Sequence, residues 1–266
     1  MEKVAIISDV HANITALNTV LKDIKSRGIS RIYCLGDIVF KCANPDLVID
    51  LLQKECEVVL KGNCDETISL PNSAIKKFWT REKIGDKRAD YLYNLPIFYE
   101  FYMSGRLIRL FHASPYSLSH IYNPMHVNTD EIHKDVELKS PLELFKNTAF
   151  LGKTEADPIP DIIGYGHIHT PNIFRFGNKT IFNPGSVGMP IEMANTNNFD
   201  ITNRFSTLAS YIILEGAYGS KDLSALSINL IRLPYDINKE IEYLENSDMP
   251  SRYKIISSLK TASSNV

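Results

Sequence analysis

Between residues 3 and 60, short apolar runs alternate with amphipathic stretches, and the connections between them are only a few residues long. Lys3 to Ser8 is a β-branched run too short for a helix. A helical period follows from Asn13, with Leu17, Val20, Leu21 and Ile24 on one face and Gly28 where a C-cap glycine would stand. Arg31 to Leu35 predicts a second strand, Pro45 to Leu52 a helix opened by proline, and Glu57 to Leu60 a third strand. Strands at that spacing with helices between them imply parallel βαβ units, hence an α/β fold.

The rest of the chain adds to that frame. Thr67 to Leu95 reads as helical and charged, its Tyr and Leu packing on the sheet. Ile97 to Tyr102 and Leu107 to Phe111 read as a hairpin across Ser104-Gly105. Residues 113–160 are irregular, with one helix expected near Leu142 to Ala149. Asp161 to Tyr165 returns to a strand, and Ile173 to Phe176 with Thr180 to Phe182 forms a second hairpin about Gly177-Asn178. Ala209 to Leu214 and Ala225 to Leu233 add antiparallel strands. A helix near Ile237 to Leu244 and a polar, frayed tail complete the reading.

At 266 residues this is one domain, 1–266, with a rim insertion at about 113–160 and a peripheral C-terminal tail from about 236. A formal net charge of −2 argues against nucleic-acid or anionic-membrane binding through bulk electrostatics, while leaving nucleotides open as substrates. No apolar run reaches the ~18 residues of a membrane span, and Met1-Glu2-Lys3 leads straight into a strand without signal-peptide architecture. Cys34, Cys42, Cys56 and Cys64 form no CxxC pair, which fits reduced thiols. A cytoplasmic location is expected. Oligomeric state is not legible.

The strand ends carry the chemistry. The first strand runs into Asp9-Val10-His11, the second into Gly36-Asp37 and the third into Gly62-Asn63. A hairpin strand ends at His112, and a later strand at Gly166-His167-Ile168-His169. Ligands of open α/β sheets collect beyond the carboxyl ends of strands, so these five segments should converge. Only seven histidines exist in the chain, and four of them stand at these positions. Two carboxylates, one amide oxygen and four imidazoles suit Mn²⁺, Fe, Zn²⁺, Ni²⁺ or Co²⁺ rather than Ca²⁺. Asp9, His11, Asp37, Asn63, His112, His167 and His169 are too many for one tetrahedral ion. They suffice for two if a carboxylate bridges, and Asp37, between the two sets in strand order, is the natural bridge.

This ordered set resembles the calcineurin-like metallophosphoesterase superfamily over roughly residues 1–235. The segment Asn183-Pro184-Gly185-Ser186-Val187 further resembles its compact bacterial phosphodiesterase and diadenosine tetraphosphate hydrolase-like members. The resemblance implies a four-layer α/β/β/α sandwich of two mixed β-sheets flanked by helices. It implies two divalent transition-metal ions, Mn²⁺ first among them. Asp9, His11 and His169 would hold one, and Asn63, His112 and His167 the other, with Asp37 shared. The implied activity is hydrolysis of a phosphodiester or phosphoanhydride of a nucleotide-like small molecule, with Asp37, Asn63 and His112 in the catalytic machinery. An asymmetric diadenosine tetraphosphate hydrolase is the narrower alternative. A non-catalytic scaffold, like the retromer subunit of this fold, is the alternative of another class.

One departure bears on mechanism. Many members carry a histidine after the Gly-Asn pair, where this chain has Cys64 followed by Asp65. A thiol is a poor general acid for an alkoxide, which predicts a preference for good leaving groups. Asp65 is open between orienting a water and forming a turn or N-cap, and Asn13 between phosphate binding and an N-cap. In the rim insertion, Tyr116, His120, Tyr122, His126 and His133 could stack a base or supply an acid, or simply pack their own loop. His120 and Tyr122 join Asn13 and Asn63 as expected substrate contacts.

Overall fold

The structure, a computed structural model, describes residues 1–71, 74, 78–122, 137–195 and 201–263. The first third is the expected parallel βαβ run: β1 (Glu2–Ile7), α1 (Ile14–Ser26), β2 (Arg31–Cys34), α2 (Pro45–Glu55) and β3 (Val58–Val59). Two helices follow, α3 (Asn63–Ser69) and α4 (Trp79–Tyr93), the latter kinked where Gly85 takes φ 70°. A hairpin pairs β4 (Phe98–Met103) with β5 (Arg106–Phe111). Then come β6 (Ile162–Tyr165), β7 (Asn172–Phe176), β8 (Lys179–Asn183), β9 (Ile191–Asn195), β10 (Ile201–Phe205), β11 (Leu208–Gly216) and β12 (Ser227–Pro234). The chain closes with α5 (Ile237–Glu245) and α6 (Arg252–Ser263).

The strands make two mixed five-stranded sheets and a separate two-stranded ribbon. The first sheet runs β12-β11-β1-β2-β3, the second β4-β5-β6-β8-β7, and β9 pairs with β10. β1, β2 and β3 are mutually parallel, as are β5, β6 and β8, while the outer partners β11, β12, β4 and β7 are antiparallel. Alternation along each strand divides the core in two. Val4, Ile6, Ile212 and Leu214 point between the sheets, where they meet Ile108, Leu110, Ile162 and Phe182. Ala5, Ile7, Ile32, Cys34 and Ile213 point the other way, against Leu17, Val20, Ile24, Val48, Leu52 and Leu92 of the helices. Each fully buried aliphatic side chain of this kind contributes about 1.5–3 kcal/mol of transfer free energy. Tyr33 and Phe101 meet edge to face in the inter-sheet layer.

Three parts of the sequence reading need correction. The helix expected near Leu142 to Ala149 is instead two 3₁₀ turns, Pro141–Phe145 and Ala149–Leu151. Ser140 caps the first with Glu143, and Pro141 at its start suits so short an element. Leu144 and Phe145 cover the outer face of the second sheet with Tyr122, Leu138 and Tyr165. The β9–β10 ribbon was not foreseen. The C-terminal segment is not a frayed tail: Ile241, Leu244, Ile256 and Leu259 belong to the main helix-side core. Among the described residues no helix is long and apolar enough to cross a membrane.

Glu240 shows how tightly α5 is held. Its side chain is fully buried, and Oε2 accepts a hydrogen bond from the Thr15 backbone N–H at 3.4 Å while Oε1 has no hydrogen-bond partner. Burial pushes this carboxyl up to about 7 from an ordinary 4.5. An acid whose folded pKa is raised costs stability above that pKa, and the cost fades as pH falls toward the unfolded value. Glu240→Gln is therefore expected to stabilise the fold at pH 8 by up to about 3 kcal/mol, with little effect near pH 4.5. Denaturant unfolding of both proteins at the two pH values checks this; an equal shift at both would exclude the buried charge as its source.

Candidate metal centre

The five ligand segments leave the carboxyl ends of β1, β2, β3, β5 and β6, so the two sheets present their parallel strands to one crevice. Register keeps the exits level. Phe111 pairs with Tyr165, and the next step is a hydrogen bond from Gly166 N–H to the His112 carbonyl at 2.7 Å. Asp9 N–H bonds Gly36 O at 3.0 Å and His11 N–H bonds Asp37 O at 2.9 Å, tying the first two loops together.

These loops are strained and crowded. Asp9, His11, Asp37, His167 and His169 all have positive φ, between 49° and 69°. Each such non-glycine residue costs on the order of 1–3 kcal/mol and persists where the surroundings over-determine it. Glycine makes the crowding possible. A Cβ on Gly62 would lie 2.2 Å from both the Asp37 backbone N and its Oδ1, and one on Gly166 would lie 2.1 Å from Ser8 Oγ.

Two ligand groups result. In one, Asp9 Oδ1 lies 3.3 Å from His169 Nε2 and 3.9 Å from His11 Nε2. In the other, Asp37 Oδ1 lies 3.4 Å from His112 Nε2, and the His112 and His167 rings meet at 5.2 Å. Asp37 also reaches back, its Oδ2 3.8 Å from His11 Nε2, so it stands between both. Ligand atoms of Asp9, His11 and His169 lie within 4.8 Å of one another, as do those of Asp37, His112 and His167. Asn63 completes the second group with Oδ1 3.0 Å from His112 Nε2, while its Nδ2 faces Cys64 Sγ at 3.8 Å.

Hydrogen bonds define which ring nitrogen faces the crevice. Nδ1–H of His11, His112 and His169 donates to the carbonyls of Val39, Leu35 and Met189 at 3.2, 3.0 and 2.8 Å. In the neutral tautomer that these bonds select, Nε2 of each ring directs a lone pair inward. Burial, then His169, pushes His11 down to about 4, and burial, then His112, pushes His167 down to about 4. Against burial, Asp9 raises His169 while His169 lowers Asp9. Asp37 is likewise held low against burial, by His112 and then His11.

With those rings neutral, as metal ligands must be, acceptors face acceptors. His11 Nε2 and His169 Nε2 are 3.0 Å apart, as are His112 Nε2 and Asn63 Oδ1. Asp9 Oδ1 is buried without a hydrogen-bond donor. Lone pairs at that separation repel unless a cation lies between them. One such pair occurs in each ligand group, so the donor set fits two divalent ions of the nitrogen- and oxygen-seeking kind.

Other expected site residues lie elsewhere. Asn13 is fully buried and committed to the scaffold: Oδ1 caps α1 by accepting from Ala16 N–H at 2.9 Å, and Nδ2 donates to Gly188 O at 2.9 Å. Of its two readings, the N-cap is the one these bonds make. Asp65 is also structural, accepting from the N–H groups of Ile38, Val39 and Gly62. Burial, then Asp37, pushes it up to about 7. Tyr122 packs its ring 6.2 Å from Tyr165 in the layer outside the second sheet, and His120 lies beside Tyr116. His126 and His133 lie outside the described residues.

What sequence reasoning missed is the segment 183–189. Ser186 Oγ donates to Asp9 O at 2.6 Å and accepts from Met189 N–H at 2.8 Å, while Met189 O orients His169. Asn183 Nδ2 donates to Gly166 O at 2.7 Å. The Asn-Pro-Gly-Ser-Val signal was visible, but as a resemblance without a role.

Residues 2–203 match the model of the calcineurin-like phosphoesterase superfamily domain. The chain is 30% identical over 256 residues to an uncharacterized protein, MJ0912, of Methanocaldococcus jannaschii, covering 93% of each. Its fold is shared with a metallophosphoesterase from Sphaerobacter thermophilus (TM-score 0.67, 21% identity, 98% of this chain and 99% of that one). It is also shared with the hypothetical protein PH1004 of Pyrococcus horikoshii OT3 (TM-score 0.68, 20% identity, 97% and 98%).

Because Ser186 holds both the Asp9 backbone and the turn carrying the Met189 carbonyl, Ser186→Ala should loosen the first ligand group. The expected loss is about 10–100-fold in Mn²⁺ affinity, measured by calorimetric titration with the fold intact by circular dichroism. Unchanged affinity would mean that Ser186 does not position these ligands.

Proposed function

The chain belongs to the calcineurin-like phosphoesterase superfamily, and on that premise we propose that it is a dinuclear metal-dependent phosphoesterase. Its substrates are phosphodiesters or phosphoanhydrides of a nucleotide-like small molecule. The observation that supports this reading is the pair of facing acceptors, one in each ligand group, joined by a carboxylate that reaches both. Asp9, His11 and His169 would hold one ion, Asn63, His112 and His167 the other, and Asp37 would serve both. Mn²⁺ is the leading candidate. Two divalent cations bound there would supply an acidified water and neutralise charge developing on phosphoryl oxygens.

The chain's own residues then keep the centre in register. The backbone carbonyls of Val39, Leu35 and Met189 keep three imidazoles in the tautomer that leaves Nε2 free. Cys64 N–H donates to Asp37 Oδ1 at 2.9 Å and steadies the shared carboxylate. No protein nucleophile is required.

Leaving-group chemistry follows from Cys64. Burial, and then Asp37, pushes its thiol far above the ordinary range, so it is a feeble proton donor where many relatives place a histidine. Departure must therefore rely on the stability of the leaving group itself.

With Mn²⁺, bis-p-nitrophenyl phosphate or diadenosine tetraphosphate should turn over faster than simple alkyl phosphate monoesters. Asp37→Ala should abolish all of it. Faster hydrolysis of an alkyl monoester would refute the leaving-group argument. Turnover no higher than that of Asp37→Ala with any divalent metal would sink the enzyme reading and favour a scaffold. A preference for diadenosine tetraphosphate over the aryl diester would select the narrower hydrolase.

A further inference from the structure

A cavity of about 410 Å³ opens beside the metal centre, and the function above leaves it unused. Its walls include Phe40, Lys41, Cys64, Phe78, Trp79 and Lys254. Cys64 joins it to the chemistry, because its Sγ lies within 4.8 Å of ligand atoms of both His11 and Asp37. Lys41 lies close enough for its charge to act on His11 and Cys64.

Three features make this more than a gap in packing. First, the cavity pairs flat apolar walls with cations. Three aromatic rings line it, and among the described residues neither Lys41 nor Lys254 has an ion-pair partner. Second, Trp79 is fixed, its Nε1–H donating to Asp248 Oδ1 at 2.7 Å. Third, backbone strain continues from the ligand loops into the cavity wall. Phe40, Lys41 and Ser251 all have positive φ, between 63° and 72°. Strain of this kind gathers where side-chain direction matters to function.

We propose that this cavity is the specificity pocket of the phosphoesterase, and that it selects substrates with an aromatic base next to the scissile phosphate. The proposal rests on the phosphoesterase reading and deepens it. Phe40, Phe78 and Trp79 form the stacking walls for the base, and Lys41 and Lys254 meet the phosphates. The size matches that of small-ligand sites, which run from about 300 to 1,000 Å³. The turn between α5 and α6 thus contributes to substrate choice, whereas the sequence placed that role in the rim insertion. Cys64, smaller than an imidazole, stands between the pocket and the ligand loops.

Trp79 is the chain's single tryptophan, which turns the pocket into its own reporter. The full-length protein is titrated with adenosine 5′-monophosphate, with Mn²⁺ and with EDTA, while Trp79 fluorescence is followed. Saturable quenching is expected in both media, and none with ribose 5-phosphate at equal concentration. Lys254→Ala and Phe78→Ala should each raise the half-saturation about tenfold. Both should also raise KM for bis-p-nitrophenyl phosphate more than they lower kcat. Absence of quenching in both media, quenching equal to that by ribose 5-phosphate, or variants identical to the parent would overturn the pocket. That failure is separate from failure of the enzyme reading, which the Asp37→Ala assay decides.

Discussion

The architecture turns on how closely two loops can approach. For Asp37 to stand between two ligand groups, the turn after β2 and the turn before α3 must touch backbone to backbone. The place where a Gly62 side chain would begin is already occupied by the Asp37 amide and carboxylate. A Gly36 side chain would in turn strike Gly62 N at 2.5 Å. Two glycines facing each other remove the only atoms in the way. Asp65 then locks the contact by accepting N–H bonds from both sides of it, from Ile38 and Val39 on one turn and Gly62 on the other.

From that contact the orientation of the remaining ligands follows. The carbonyls that fix His11 and His112 belong to Val39 and Leu35, each two residues from Asp37. One short segment, 35–39, therefore supplies the shared carboxylate and aims two imidazoles. The 183–189 segment does the same for the opposite side, through Ser186 on Asp9 and Met189 on His169. The inward face of the site is side chain, and its outer support is mostly main chain.

That division explains what could be read from sequence. Candidate ligand side chains announce themselves by type and by their place at strand ends, so the convergence of Asp9 through His169 was legible, as were the βαβ run and both hairpins. Carbonyl supports were not, because every residue has a carbonyl and only the fold says which one faces a ring. Asn13 was ambiguous for a related reason: an amide at a helix start can cap it or bind a ligand, and here both of its polar atoms are taken by the scaffold. The C-terminal region misled because α6 is polar on most of its surface and buries only a few side chains, such as Ile256 and Leu259. The 141–151 turns misled because an apolar cluster of that length looks like a helix, although proline and a capping serine shorten it.

The left-handed backbone at Asp9, His11, Asp37, His167 and His169 has a bearing on how long the molecule lasts. Five residues in that region subtract several kilocalories per mole from a fold whose margin is of order 5–15 kcal/mol. Repulsion between facing acceptors subtracts more. A cation that binds the folded ligands and not the unfolded chain returns part of this by mass action, about 2.7 kcal/mol at a hundredfold excess over Kd. On the proposed reading, the same loops that prepare the crevice for an ion would couple the protein's persistence to ion supply, and scarcity of metal would thin the population of folded molecules.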